Sequence, residues 1–255
     1  MTRKPRRAKG ILACAALLIL LAGCTGKGEQ AVDTPPQPFQ LEPVELAADY
    51  DKTYPELNDP SSIPEGVRVE VQITIPQVKG DSMDELGLQL NDYFLAEGNG
   101  LLLKAAEYLG TTGLVENDTV TVEWSYEVTR NDGHWLSVRH QGVTYVGGAA
   151  YPTTALRSDV IRVADGTLQP VSLSELFDLT PEETQAYLVE KMEALSQGAY
   201  SRDALNGYFD FNCFYVTQDA LVFYYQEDTL GPHAIGTPEF PIPLADLAEV
   251  LKEPF

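Results

Sequence analysis

Three histidines, three cysteines and a few paired carboxylates are the residues whose types could do chemistry in this chain. A metal site needs three or four nitrogen, oxygen or sulfur ligands in one coordination sphere, and close spacing usually announces it. His134 and His140 share parity along one strand-like stretch, and His233 sits in Gly231-Pro232-His233-Ala234-Ile235-Gly236. None has ligand spacing beside it, so packed or hydrogen-bonded histidines are expected, with no metal and no cofactor. Glu123 and Glu127 share a face as well; in so acidic a chain they read as a solvated sheet surface rather than an acid-base pair. Cys213 lies in the apolar run 211–216 and reads as a buried, inert thiol. Tyr208, Phe209, Tyr215, Tyr224 and Tyr225 could stack on sugars, but aromatic strands more often fill a core. The sequence holds no Gly-x-Ser-x-Gly elbow, His-Glu-x-x-His, Cys-x-x-Cys or phosphate loop. No catalytic residue is assigned, and a non-catalytic protein is the favoured reading.

Cys24 carries chemistry of another kind. Leu21-Ala22-Gly23-Cys24 closes the apolar run 11–21 behind Arg3, Lys4, Arg6, Arg7 and Lys9. A basic start, a short apolar stretch and small residues at the cut make an export signal, shorter than the about 20 residues of a membrane span. The quartet resembles the bacterial lipobox. That resemblance implies that residues 1–23 are a signal peptide and that the Cys24 sulfur receives a diacylglyceryl group. Two acyl chains, at about 0.8 kcal/mol per buried methylene, anchor a protein stably. The expected location is the extracytoplasmic face of the cell membrane, held by lipid. A plain secretory signal with an incidental cysteine is the alternative. With Cys14 in the signal and Cys24 lipidated, Cys213 stands alone and no intramolecular disulfide is expected.

Charge narrows the partners. Removing residues 1–23 takes away five of the 17 Lys and Arg and none of the 38 acids, leaving 12 against 38, a formal charge of −26. The charge argues against nucleic acid as a partner, because phosphate binding needs an excess of basic residues. Such a field attracts a basic protein, a cationic peptide or a divalent ion, although it supplies rate more than specificity, and solubility alone would also account for it.

The elements that must position these residues follow from periodicity. Residues 24–60 are rich in Pro, acids and Thr around Thr34-Pro35-Pro36-Gln37-Pro38 and read as a disordered tether. Val67, Val69, Val71, Ile73 and Ile75 alternate with polar residues, which predicts a half-buried strand. Ser82 and Glu85 have capping-box spacing, and Met83, Leu86, Leu90 and Phe94 predict a helix that Gly98-Asn99-Gly100 should break or kink. Alternation over 120–128, then Asn131-Asp132-Gly133, then 135–146 predicts a hairpin, and a second turn falls at Asp165-Gly166. Thr180, Pro181 and Glu183 cap a helix running to Gly198. Residues 208–216 and 220–226 predict two strands, with a short strand at 240–242 and a terminal helix through Leu244, Leu247 and Leu251. The fold class is α+β, antiparallel sheets with packed helices, in two consecutive subdomains at 61–146 and 147–255.

The second half carries a resemblance. Gly147-Gly148-Ala149-Ala150-Tyr151-Pro152, Ser172-Leu173-Ser174-Glu175-Leu176-Phe177, the stretch 211–225 and Gly231-Pro232-His233-Ala234-Ile235-Gly236 come in the order seen in the extracellular domain of RsiV-type anti-sigma factors. The chain resembles that family over about residues 147–251. Members carry a Gly-Gly-Ala-His-Pro-like and a later Pro-Tyr-Ala-x-Gly-like motif, whereas here Tyr151 precedes Pro152 and His233 follows Pro232. The histidine and the aromatic look exchanged, which predicts that Tyr151 and His233 touch. The resemblance implies a binding site at Gly148, Tyr151, Pro152, Gly231, Pro232, His233 and Gly236. It also implies a lysozyme-like basic protein or a cell-wall glycan as ligand, since the family's outer domain binds lysozyme and also precedes peptidoglycan deacetylase domains. No sigma factor is expected as a partner, because only about ten residues precede the apolar run. An accessory or undetected hydrolase or deacetylase role in peptidoglycan modification is the alternative.

Overall fold

The computed structural model describes residues 37–54 and 60–255. Cys24, the signal sequence and the first part of the tether lie outside the described residues.

The architecture is α+β, as the periodicities predict, with a six-stranded sheet and a three-stranded sheet. The large sheet begins with β1 (Leu41–Asp51), antiparallel to β2 (Arg68–Val78) along its whole length. α1 (Glu85–Ala105) then crosses over to β3 (Thr119–Asn131), which runs parallel to β2. β4 (Trp135–Val146), β5 (Thr153–Ala164) and β6 (Thr167–Pro170) follow as antiparallel neighbours, so spatial order equals chain order. Val69, Val71, Ile73 and Ile75 of β2 are buried under α1, which supplies Leu90 and Phe94. Each such aliphatic side chain contributes about 1.5–3 kcal/mol by leaving water.

The other face of β4 and β5 is covered too. After α2 (Leu173–Leu176), α3 (Pro181–Leu195) and α4 (Arg202–Gly207), the chain forms a second sheet of β7 (Phe214–Val216), β8 (Ala220–Tyr224) and β9 (Glu239–Pro243), then α5 (Leu244–Leu247). β7 has one strand neighbour, and side chains of the large sheet satisfy its free backbone groups. Val216 donates its N–H to Ser137 Oγ at 3.0 Å, Thr129 Oγ1 donates to Val216 O at 2.8 Å, and Ser158 Oγ donates to Phe214 O. Leu136, Val138 and Ile161 therefore join the α1 core, while Trp135, Leu156 and Val160 join the core of the small sheet.

Five sequence expectations need correction. The tether assigned to 24–60 contains β1: Val44, Leu46, Ala48 and Tyr50 alternate with Glu45, Ala47, Asp49 and Asp51, a half-buried edge strand hidden by an acidic composition. The boundary between 61–146 and 147–255 does not divide the fold, because β5 and β6 belong to the large sheet and Pro35–Phe255 is one compact unit. α1 is not broken at Gly98. A Cβ there would meet Leu46 Cδ1 at 2.7 Å and Ile75 Cγ2 at 2.9 Å, so the glycine lets the helix approach the sheet. Its cap is Asp84, accepting from Gly87 N at 2.9 Å, rather than Ser82, which lies in a preceding 3-10 turn. Finally, residues 208–213 precede the strand, which starts at Phe214, and Tyr208 is exposed. The α3 cap is as predicted: Thr180 and Glu183 form a capping box with Pro181 at the first turn, although the helix ends at Leu195.

Candidate functional site

Two loops meet beyond the ends of β4 and β8. The first leaves β4 at Val146; Ala149 N donates to Val146 O at 2.9 Å and Tyr145 Oη to Ala149 O at 3.2 Å, which closes the turn through Gly148 at φ 80°. The positive φ is why a glycine stands there. Tyr151 and Pro152 then lead into β5. The second loop leaves β8 and passes Glu227, Asp228 and Gly231-Pro232 into a 3-10 turn at His233–Ile235, which ends at Gly236 with φ 71°.

Two side chains staple the second loop to the first residues of β5. Gln226 accepts from Leu156 N at 3.0 Å and donates to Leu156 O at 2.7 Å, imitating one rung of a sheet. Glu227 Oε2 accepts from Thr154 N at 2.7 Å. This fixes where His233 lies, and its ring stacks on Tyr151 with centroids 4.0 Å apart and planes at 28°. The two residues that look exchanged in the sequence are in contact. Tyr151 is 56% exposed, so one face of the stacked pair is open to solvent.

The remaining expected site residues shape the backbone rather than offer chemistry. Gly148 and Gly236 hold positive φ, Pro232 caps the 3-10 turn, and a Cβ on Gly231 would strike Ile235 Cδ1 at 2.4 Å. Sequence reasoning missed Gln226, Glu227, Asp228 and Thr154. Nδ1 of His233 is 3.4 Å from Glu227 Oε2 and 3.4 Å from Asp228 Oδ2. The Gln226-Glu227-Asp228 run directly after an aromatic strand was the available signal.

The other chemistry-bearing residues are elsewhere. His134 is exposed in the turn before β4, whereas His140 is buried with its Nε2 2.8 Å from Asp159 Oδ2. Tyr93 Oη donates to Asp159 Oδ1 at 2.6 Å, and Arg157 pairs with Glu97 while standing 3.8 Å from Asp159. Burial pushes the Asp159 carboxyl upward, but hydrogen bonds from His140 and Tyr93 and the Arg157 charge outweigh it and hold the group below its ordinary value. Burial, with the nearby Asp210 charge, pushes the Cys213 thiol up to about 11, so it stays protonated and unreactive at neutral pH. Tyr215, Tyr224 and Tyr225 fill the core of the small sheet, while Glu123 and Glu127 lie on the solvated face. A cleft of about 730 Å³ lies between the end of α1 and strands β3 and β5, lined by Lys104, Tyr108, Trp124 and Arg157, and does not include the loop pair.

Residues 174–245 match the family model described as a protein of unknown function (DUF3298). The matched stretch contains the second loop and stops short of Tyr151. Two solved structures share the fold. A member of the DUF3298 family from Bacteroides fragilis is 16% identical, covering 87% of this chain and 96% of its own, with a TM-score of 0.59. A DUF3298 family protein from Pseudomonas aeruginosa is 16% identical, covering 85% and 95%, with a TM-score of 0.53. No curated protein matches.

Proposed function

We propose that this chain is a lipid-anchored, extracytoplasmic binding module of the RsiV type, which engages a basic, lysozyme-like protein through the Tyr151 and His233 loops. The observation that carries the reading is the stacked, half-exposed Tyr151–His233 pair. Loops held rigidly by a scaffold present recognition groups at low entropic cost, and aromatic side chains are enriched among the residues that dominate binding energy. Formal charge of −21 on the whole chain supports the choice of a basic partner, because opposite charge speeds encounter and suppresses acidic competitors. Anchoring rests on the lipobox resemblance at Cys24, and Cys24→Ser should move the protein out of the membrane fraction.

A cell-wall glycan is the second reading, favoured by the open ring face of Tyr151, a surface suited to stacking on a sugar. Calorimetric titration of the purified full chain with hen-type lysozyme, at low and moderate salt, separates the two. Saturable heat that survives moderate salt and is lost in Tyr151→Ala/His233→Ala supports docking at the loops. Heat that vanishes with salt is charge attraction alone and overturns the docking reading. No heat at all turns the same titration to peptidoglycan fragments, where turnover rather than binding would mean wall chemistry.

A further inference from the structure

Glu227, Asp228 and His233 each offer one ligand atom, and these atoms lie within 4.8 Å of one another. The docking reading makes no use of the carboxylates. The 3.4 Å from His233 Nδ1 to each carboxylate oxygen is long for a charge-assisted hydrogen bond, which settles at about 2.7–2.9 Å. His233 Nδ1 and Asp228 Oδ2 make at most a long hydrogen bond, and the same spacing is that of a coordination edge: two atoms each about 2.0–2.1 Å from a tetrahedral Zn²⁺ stand about 3.3 Å apart.

A second observation points the same way. The Glu227 side chain is only 8% exposed, accepts one backbone N–H, from Thr154, and has no Lys or Arg ion pair among the described residues. Burying a carboxylate with so little compensation is costly, and a dication would supply the missing charge. The outer support that metal ligands require is also present. Thr154 N orients Oε2 of Glu227, and the Tyr151 ring fixes the plane of the imidazole.

We propose that Glu227, Asp228 and His233 bind a divalent transition ion of the Zn²⁺ class. An imidazole with two carboxylates favours such borderline ions over Ca²⁺ or Mg²⁺, which take oxygen donors. Three protein ligands leave a fourth tetrahedral position, open on the side of the exposed Asp228 to water or to a donor atom of a partner. Because Glu227 is bonded to the start of β5, the ion ties the 3-10 turn at His233–Ile235 to the large sheet. The site shares its histidine with the docking reading but does not depend on it.

The test is titration of Zn²⁺ alone into the purified full chain, by calorimetry and by competition with a chromogenic chelator, with excess Ca²⁺ present to occupy the acidic surface. The expected result is one equivalent of Zn²⁺ that Ca²⁺ does not displace, weakened at least about tenfold in His233→Gln and in Asp228→Asn and unchanged in His134→Gln. Asp228 is exposed, so its substitution tests the site without endangering the fold. Co²⁺ should give the visible absorption of a four-coordinate ion, absent from His233→Gln. Zn²⁺ that Ca²⁺ displaces, or that binds His233→Gln and Asp228→Asn as tightly as the parent, overturns the proposal. Failure of lysozyme to bind would leave this result untouched, and lysozyme binding that survives chelation would separate docking from the metal.

Discussion

His140 and His233 both face carboxylates, yet their surroundings differ in completeness. Around His140 every charge has an answer: Asp159 lies at 2.8 Å, its second oxygen is taken by Tyr93, and Arg157 and Glu97 close the network at its margin. Around His233 two carboxylates share one ring nitrogen at 3.4 Å, no guanidinium or ammonium among the described residues pairs with them, and an exposed tyrosine lies over the ring. A closed polar network belongs to the architecture, because each member already has its partner. An open one is where an absent partner would act. The same residue types, histidine with acids, thus serve two ends, and compensation rather than composition tells them apart.

Four variants would break or sharpen this contrast. Asp159→Ala should have the largest effect, a loss of about 3–5 kcal/mol in denaturant unfolding, since it strands a buried histidine and the Tyr93 hydroxyl, while Arg157 keeps its pair with Glu97. A loss under about 1 kcal/mol would mean that the network is not structural. The same carboxylate predicts an acid limb. Its folded-state pKa lies below the ordinary 3.8, so its contribution is complete above the ordinary carboxylate range and fades as pH falls through the depressed value. Asp159→Asn should flatten that limb. Gln226→Ala comes next, costing about 1–3 kcal/mol because it frees both backbone groups of Leu156, and it should weaken Zn²⁺ binding as the second loop drifts from β5. Tyr151→Ala should shift unfolding by no more than about 0.5 kcal/mol, being an exposed loop residue, while abolishing docking. A large destabilisation there would place Tyr151 with His140, among residues that serve the fold.

The sequence disclosed these features unevenly, for physical reasons. The α3 cap was legible because Thr180, Pro181 and Glu183 each have one favoured place at a helix start. β1 was hidden although its alternation is plain, because acids and prolines around it give the composition of a disordered segment. Gly98 looked like a helix breaker, but the close approach of Leu46 and Ile75 that explains it joins residues far apart in the chain. The contact of Tyr151 with His233 was inferable from their exchanged positions. Glu227 and Asp228 offered only the weak signal of a polar run after an aromatic strand, since two more acids among 38 do not stand out as ligands until folding brings a histidine beside them.

Strands β4 and β5 send alternate side chains into two different cores. Loss of either core would strip one face of the same two strands, and exposed apolar sheet is itself unstable in water. The two layers therefore cannot come apart in sequence, as separate domains on a flexible hinge would. They form one cooperative unit, to which Gln226 and Glu227 tie the loop that carries His233 through their bonds to β5.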